Sequence, residues 1–157
     1  MAALAQAAWP SQHIPEPVKT LIVKFYVCVD APLDPDSNAV LANDVFHPDA
    51  SFQINKRVIR GRNEIAHWRD SAASGSGAVI SILSLSADGF EVLTTGTLVL
   101  EMGDGRKADS EFTCRCLVTK EKGEGAKIKE WRGWVDYVPF LKGGPFEKAR
   151  VYDAERP

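Results

Sequence analysis

The chain has 157 residues, a formal net charge of −2 and three cysteines. An apolar fraction of 45% and a charged fraction of 25% fit one globular domain with one core. A balance this near neutral gives no field to gather nucleic acid or an anionic membrane, so neither is expected as a partner.

Residues 1–14 lack a basic n-region and a sustained apolar stretch, and read as a flexible N-terminal tail rather than a secretory leader. No run approaches the roughly 18 apolar residues that a membrane span needs, so a cytoplasmic location is expected. Val18, Leu21, Ile22, Phe25, Tyr26 and Val29 recur at spacings of three and four, which predicts a helix with one apolar stripe. Pro17 suits its first turn, where the missing N–H is not needed. Asp30-Ala-Pro-Leu-Asp-Pro stops it, because each proline disfavours helical geometry in the residue before. A shorter helix is expected from Ser37 to Val45 with Leu41 and Val45 inward, followed by a Phe46-His-Pro-Asp turn. Short strands are expected over Ala50 to Ile54 and Arg57 to Arg60. A third helix, Arg62 to Ala72, carries Ile65, Trp68 and Ala72 on one face, and Ser74-Gly-Ser-Gly reads as a flexible link.

Beyond Gly77 the pattern is that of sheet. Strands are expected over Ala78 to Ser86, Phe90 to Met102, Arg106 to Thr119 and Lys127 to Val138, forming an antiparallel meander. Helices first and strands last imply an α+β domain over 15–142, with 143–157 a loose tail. Period two puts Phe112, Cys114, Cys116 and Val118 on one face, read as inward. It puts Trp131, Val135 and Tyr137 opposite Ile128, Trp134 and Asp136. Leu93 and Val99 lie opposite Val92, Leu98 and Leu100, so the sheet is apolar on both sides and needs two covers. The helices supply one. A second copy of the sheet is expected to supply the other, giving a homodimer through the outer sheet face.

Cys28, Cys114 and Cys116 form no CxxC pair and read as reduced core thiols. Asp34-Pro-Asp-Ser is too short for a calcium loop, no histidine pair has ligand spacing, and no glycine-rich phosphate loop occurs. Neither a metal nor a cofactor is expected.

The order of helix, Pro-Asp-rich loop, short helix, Phe46-His-Pro-Asp-Ala-Ser-Phe, Gly61-Arg-Asn-Glu-Ile and Ile128-Lys-Glu-Trp-Arg-Gly-Trp-Val-Asp carries a resemblance. It resembles the SnoaL-like, polyketide cyclase-like branch of the nuclear-transport-factor-2-like (NTF2-like) superfamily. Lys24-Phe-Tyr to Arg69 is most similar to fungal SnoaL-like proteins associated with secondary metabolism. The resemblance implies a curved antiparallel sheet with three N-terminal helices on its concave face, forming a cone-shaped pocket. Such pockets host isomerases, cyclases, dehydratases and epoxide hydrolases, and also non-catalytic binders and dimer modules, so the fold alone does not decide function.

A cofactor-free enzyme of this kind needs an acid or base tuned by an apolar cavity. Limonene-type epoxide hydrolases carry Trp-Arg-Asp-Tyr-Phe-Asp on the last strand, where this chain has Gly133 at the first Asp. Their Arg and Asp on the second long strand fall at Thr95 and Thr97, so that mechanism is excluded. Similarity to ketosteroid isomerases makes Tyr26 a hydrogen-bonding candidate, and similarity to scytalone dehydratase does the same for Asp30. His67, on the third helix, is the remaining candidate acid or base. Each has a plainer reading: a core tyrosine with its hydroxyl satisfied, a helix-end carboxylate, and an outward-leaning histidine. Phe52, Ile54, Trp68, Thr95, Thr97, Phe112, Cys114, Trp131 and Val135 are expected to wall the pocket. Cys114 has no activating cation that the sequence places beside it, which favours inert packing over a nucleophile. The expected function is cofactor-independent isomerisation, cyclisation or dehydration of an apolar oxygenated small molecule, a secondary-metabolite intermediate. The alternative is a non-catalytic ligand-binding or dimerisation module.

Overall fold

The apolar stripe after Pro15 folds as α1, Glu16–Val29, with Val18, Leu21, Ile22, Phe25, Tyr26 and Cys28 buried along it. The computed structural model describes residues 7–31, 34–68, 75–101, 107–121 and 125–136. Asp34 caps α2, Pro35–Val40, accepting from the Asp36 N–H at 3.1 Å and the Ser37 hydroxyl at 3.0 Å. The expected second helix then widens into a π-helical turn, Leu41–Val45, which still buries Leu41, Ala42 and Val45. α3, Gly61–His67, buries Ile65 and has Trp68 at its C-terminal end. Ala72 and Ser74, expected on that helix and its link, lie outside the described residues, as do Tyr137 and the 143–157 tail.

The sheet among the described residues has six strands: β1 Phe46–Ile54, β2 Arg57–Arg60, β3 Gly75–Ser84, β4 Glu91–Glu101, β5 Lys107–Glu121 and β6 Gly125–Val135. Their order across the sheet is β2-β1-β6-β5-β4-β3. The meander β3 to β6 is antiparallel throughout, as expected, but β6 closes against β1 in parallel. Two expectations shift. β1 begins at Phe46 rather than Ala50, absorbing the Phe-His-Pro-Asp segment. β3 begins at Gly75, because Gly75 and Gly77 pair with Leu100 and Leu98 of β4.

On β5, Phe112, Cys114, Cys116 and Val118 face inward and are buried. β6 departs from strict alternation. Cys116 pairs with Trp131 and Leu117 with Glu130, whereas Val118 pairs with Ile128, which leaves Lys129 as a bulge. One extra residue reverses the faces before it, so Ile128 and Trp131 both point inward although they are three apart.

The chain is also fixed earlier than Pro15. Ala8 exchanges backbone hydrogen bonds with β3, its N–H to the Ile80 carbonyl and its carbonyl from the Ile82 N–H, each 3.1 Å. Ile14 is buried, and Gly89 packs so closely that a Cβ there would meet the His13 carbonyl at 2.5 Å. Residues 7–14 are therefore a strap along the sheet, not part of a free tail.

Candidate functional site

α1 lies over the concave side of the sheet and brings Tyr26 down onto β4. Its hydroxyl sits 2.5 Å from the Thr94 hydroxyl, a buried contact between groups 68 residues apart. Cys114 of β5, the Cα partner of Thr94, brings its thiol into hydrogen-bonding reach of both hydroxyls. The three groups form a neutral polar cluster inside an apolar shell. Burial raises the Tyr26 phenol well above its usual range, reinforced by the nearby Cys114. Burial also pushes the Cys114 thiol up to about 12 and the Cys116 thiol higher still. All three stay protonated at neutral pH. Tyr26 can donate a proton in a hydrogen bond but is no base, and Cys114 is no nucleophile.

Aromatic rings fill most of the space above the sheet. Phe25 stands 5.3 Å from Trp131, and Phe52 stands 4.8 Å from both Trp131 and Trp68, centroid to centroid. Tyr26 and Phe112 stand 6.3 Å apart. The hollow that remains beside Tyr26 and Thr94 measures about 10 Å³ and is walled by Ile22, Phe25, Cys116, Ile128 and Trp131. That is room for about one water or one ligand oxygen. Tyr26 at 6%, Phe112 at 8% and Trp131 at 8% exposure are the core rings with residual access to the surface.

Gly133 explains why no carboxylate occupies the position of the hydrolase Asp. The Trp131 ring folds over it, so that a Cβ at 133 would meet that ring at 2.5 Å and the Cys114 sulfur at 3.5 Å. The ring has taken the room an acidic side chain would need.

The expected wall residues divide into two groups. Phe52, Phe112, Cys114 and Trp131 are buried inward, and Ile54, Trp68 and Val135 pack partly buried against the same core. Thr95 and Thr97 do not belong to the wall. Val92, Thr94 and Gly96 are the buried positions of β4, so Thr95 and Thr97 stand on the outer face, with Thr97 exposed. Among the candidate catalytic groups, Tyr26 is at the centre. Asp30 caps α1, half-buried, its N–H bonded to the Tyr26 carbonyl at 2.9 Å. His67 is exposed on α3, away from the cluster, because the buried stripe of that helix is Ile65 and not its neighbour. Asp136 is exposed beyond the end of β6. Two groups went unnoticed in the sequence. Thr94 is found by extending the alternation from Val92. Asn55, a turn residue at φ +49°, clamps Val135 through a reciprocal pair of 3.0 Å hydrogen bonds, and no local pattern announces it.

Among the described residues no group of three or more His, Cys, Asp or Glu is placed to hold a metal ion, and no helix is long and apolar enough to cross a membrane. No protein-family model matches the chain, and no curated protein matches it. Solved structures do. An NTF2-like protein of unknown function from Burkholderia pseudomallei superimposes with a TM-score of 0.63 at 13% identity, covering 82% of this chain and 97% of that one. The chain has the NTF2-like fold. A putative SnoaL-like polyketide cyclase from Jannaschia sp. CCS1 gives 0.63 at 9% identity over 85% and 94% of the two chains. A ketosteroid isomerase-like protein from Erwinia carotovora atroseptica gives 0.57 at 12% identity over 75% and 92%. At these identities the likeness is one of fold.

Proposed function

We propose that this chain acts without a cofactor on an apolar, oxygenated small molecule, as an isomerase, cyclase or dehydratase of a biosynthetic sequence. One observation carries the reading. A neutral Tyr26 hydroxyl, bonded to Thr94 and set in an aromatic shell, lines an oxygen-sized hollow on the concave face. A preorganised donor in such a shell stabilises negative charge developing on a substrate oxygen. Asp30 lies four residues on, hence on the same side of α1, and is the carboxylate assigned to move the proton. Names such as polyketide cyclase and ketosteroid isomerase-like among the structural neighbours agree with that chemistry. A ligand larger than one oxygen enters only if a ring that walls the hollow, Phe25 or Trp131, swings aside.

The test is genetic and chemical together. The source organism should accumulate a precursor when the gene is deleted, recover its product with the wild-type gene, and recover less than a tenth with Tyr26→Phe. Full recovery with Tyr26→Phe would remove Tyr26 from the mechanism.

A hollow this small also supports a second reading, a non-catalytic binding or dimerisation module. Exposed Leu83, at 45%, and Trp134, at 40%, stand on the outer sheet face with Leu93 and Leu117 between their strands. That face, where exposed apolar side chains stand among the ion pairs of Arg115, is the proposed homodimer surface. Light scattering should give twice the chain mass for the wild type and the chain mass for a Leu83→Ser/Trp134→Ser variant. The chain mass for the wild type would discard the dimer.

A further inference from the structure

We propose that the edge of β3 is a strand-pairing surface for the β3 edge of a second copy of this chain, held closed by residues 8–13 acting as a detachable strap. The proposal is independent of the small-molecule reading and concerns an edge, not the outer face, of the sheet.

The sheet has two edges, β2 and β3, and they are guarded differently. β2 has four residues, and Lys56, Arg57, Arg60 and Arg62 stand exposed along and beside it. Two copies of that edge would bring like charges together, which opposes pairing. β3 has ten residues, and neither a charged residue nor a proline occurs from 71 to 87. A long uncharged edge of this composition is a template for another strand unless something covers it. The Ile80 side chain stands 57% exposed at the bulge between Val79 and Ser81. The cover is the strap. Ala8 donates to the Ile80 carbonyl and accepts from the Ile82 N–H, and among the described residues these two are the backbone hydrogen bonds that join it to β3.

The strap is firm at one end and loose at the other. Ile14 is buried, and the chain at His13 and Ile14 closes on Gly89, whose φ of +74° and missing Cβ make room for it. Ala8, Trp9, Ser11, Gln12 and His13 are all exposed. The outer end can therefore leave β3 without disturbing the core, which is how a local opening separates from global unfolding. Its departure frees the Ile80 carbonyl and the Ile82 N–H. A two-fold axis then sets β3 against β3 in antiparallel, each copy offering the same donors and acceptors. The absence of charge selects this partner: the edge holds nothing to attract an acidic or basic segment and nothing to repel itself.

The test uses the full chain carrying Leu83→Ser/Trp134→Ser, so that mass reports the edge rather than the outer face. Ala8→Pro puts a ring where the N–H donates to Ile80 and should release the strap. By light scattering that variant should associate at least tenfold more tightly than its parent, reaching twice the chain mass. Adding Ile80→Lys, a charge of the kind that guards β2, should restore the chain mass. By hydrogen exchange the Ile82 amide should exchange at least tenfold faster in dilute Ala8→Pro than in the parent, and slow again on concentration. The chain mass for Ala8→Pro at every concentration would overturn the pairing surface. A doubled mass that survives Ile80→Lys would place the contact elsewhere and overturn it too. Unchanged Ile82 exchange would overturn the strap as its cover. The wild type supplies a check that needs no variant to fold: exchange of the Ile82 amide should depend on urea far less than that of the Val92 amide in β4. Equal dependence would mean that the strap leaves only when the whole fold does, and would refute its being detachable.

Discussion

The two faces of one sheet divide their chemistry sharply. The concave face is lined by Thr94, Phe112, Cys114, Cys116, Ile128 and Trp131, all buried and all uncharged. On the outer face the same strands carry Arg115 at 2.5 Å from Glu91 and 3.7 Å from Glu130, and Arg132 stacked 4.9 Å above the Trp134 ring. Neighbouring residues are thus sorted by alternation alone, since Thr94 and Thr95 differ in nothing but the face they meet. The lesson is about dielectric. An ion on the outer face keeps its water, whereas the inner face admits polar groups only when they are neutral and hydrogen-bonded to one another.

The largest expected effect comes from placing a charge on each face in turn. Gly133→Asp forces a carboxylate into the Trp131 ring and buries it without a cation, which should cost about 4 kcal/mol or more. Thr97→Asp puts the same group on the outer face, where it keeps water in the single chain, and should cost far less, about 0.5 kcal/mol under conditions where the chain is monomeric. Urea unfolding measures both; similar costs for the two would erase the distinction between the faces. A smaller effect follows from raising the pH. Tyr26, Cys114 and Cys116 hold their protons more tightly folded than unfolded, so the stability they confer is intact below the ordinary thiol pKa of 9.0 and declines above it. At pH 10.5 the loss should reach about 2 kcal/mol for each buried thiol. Cys116→Ala should therefore show a shallower alkaline decline than the wild type, whatever its stability at pH 7. Parallel declines would mean that the thiols are not buried as described.

Much of this division was legible in the sequence, and the gaps have physical causes. The α1 stripe and the β5 alternation were readable because each keeps one period over a full element. β6 misleads, since the bulge at Lys129 changes face midway and two-residue counting cannot register an inserted residue. Motif positions in remote relatives point to Thr95 and Thr97 for the wall, whereas the burial of Val92 fixes Thr94 as the inward residue of β4. The anchored 7–14 strap was invisible because its hydrogen bonds are backbone ones, indifferent to side-chain pattern. Gly133 read as a missing acid; the structure shows it instead as the resting place of the Trp131 ring.

The central claim is that a neutral phenol on the concave face donates to a bound carbonyl. Infrared difference spectra of 2-acetylnaphthalene carrying ¹³C at its carbonyl measure that contact directly. The carbonyl stretch should move to lower frequency on binding to the wild type and stay at its apolar-solvent position with Tyr26→Phe. An unshifted band in the wild type, or the same shift in both proteins, would contradict the account.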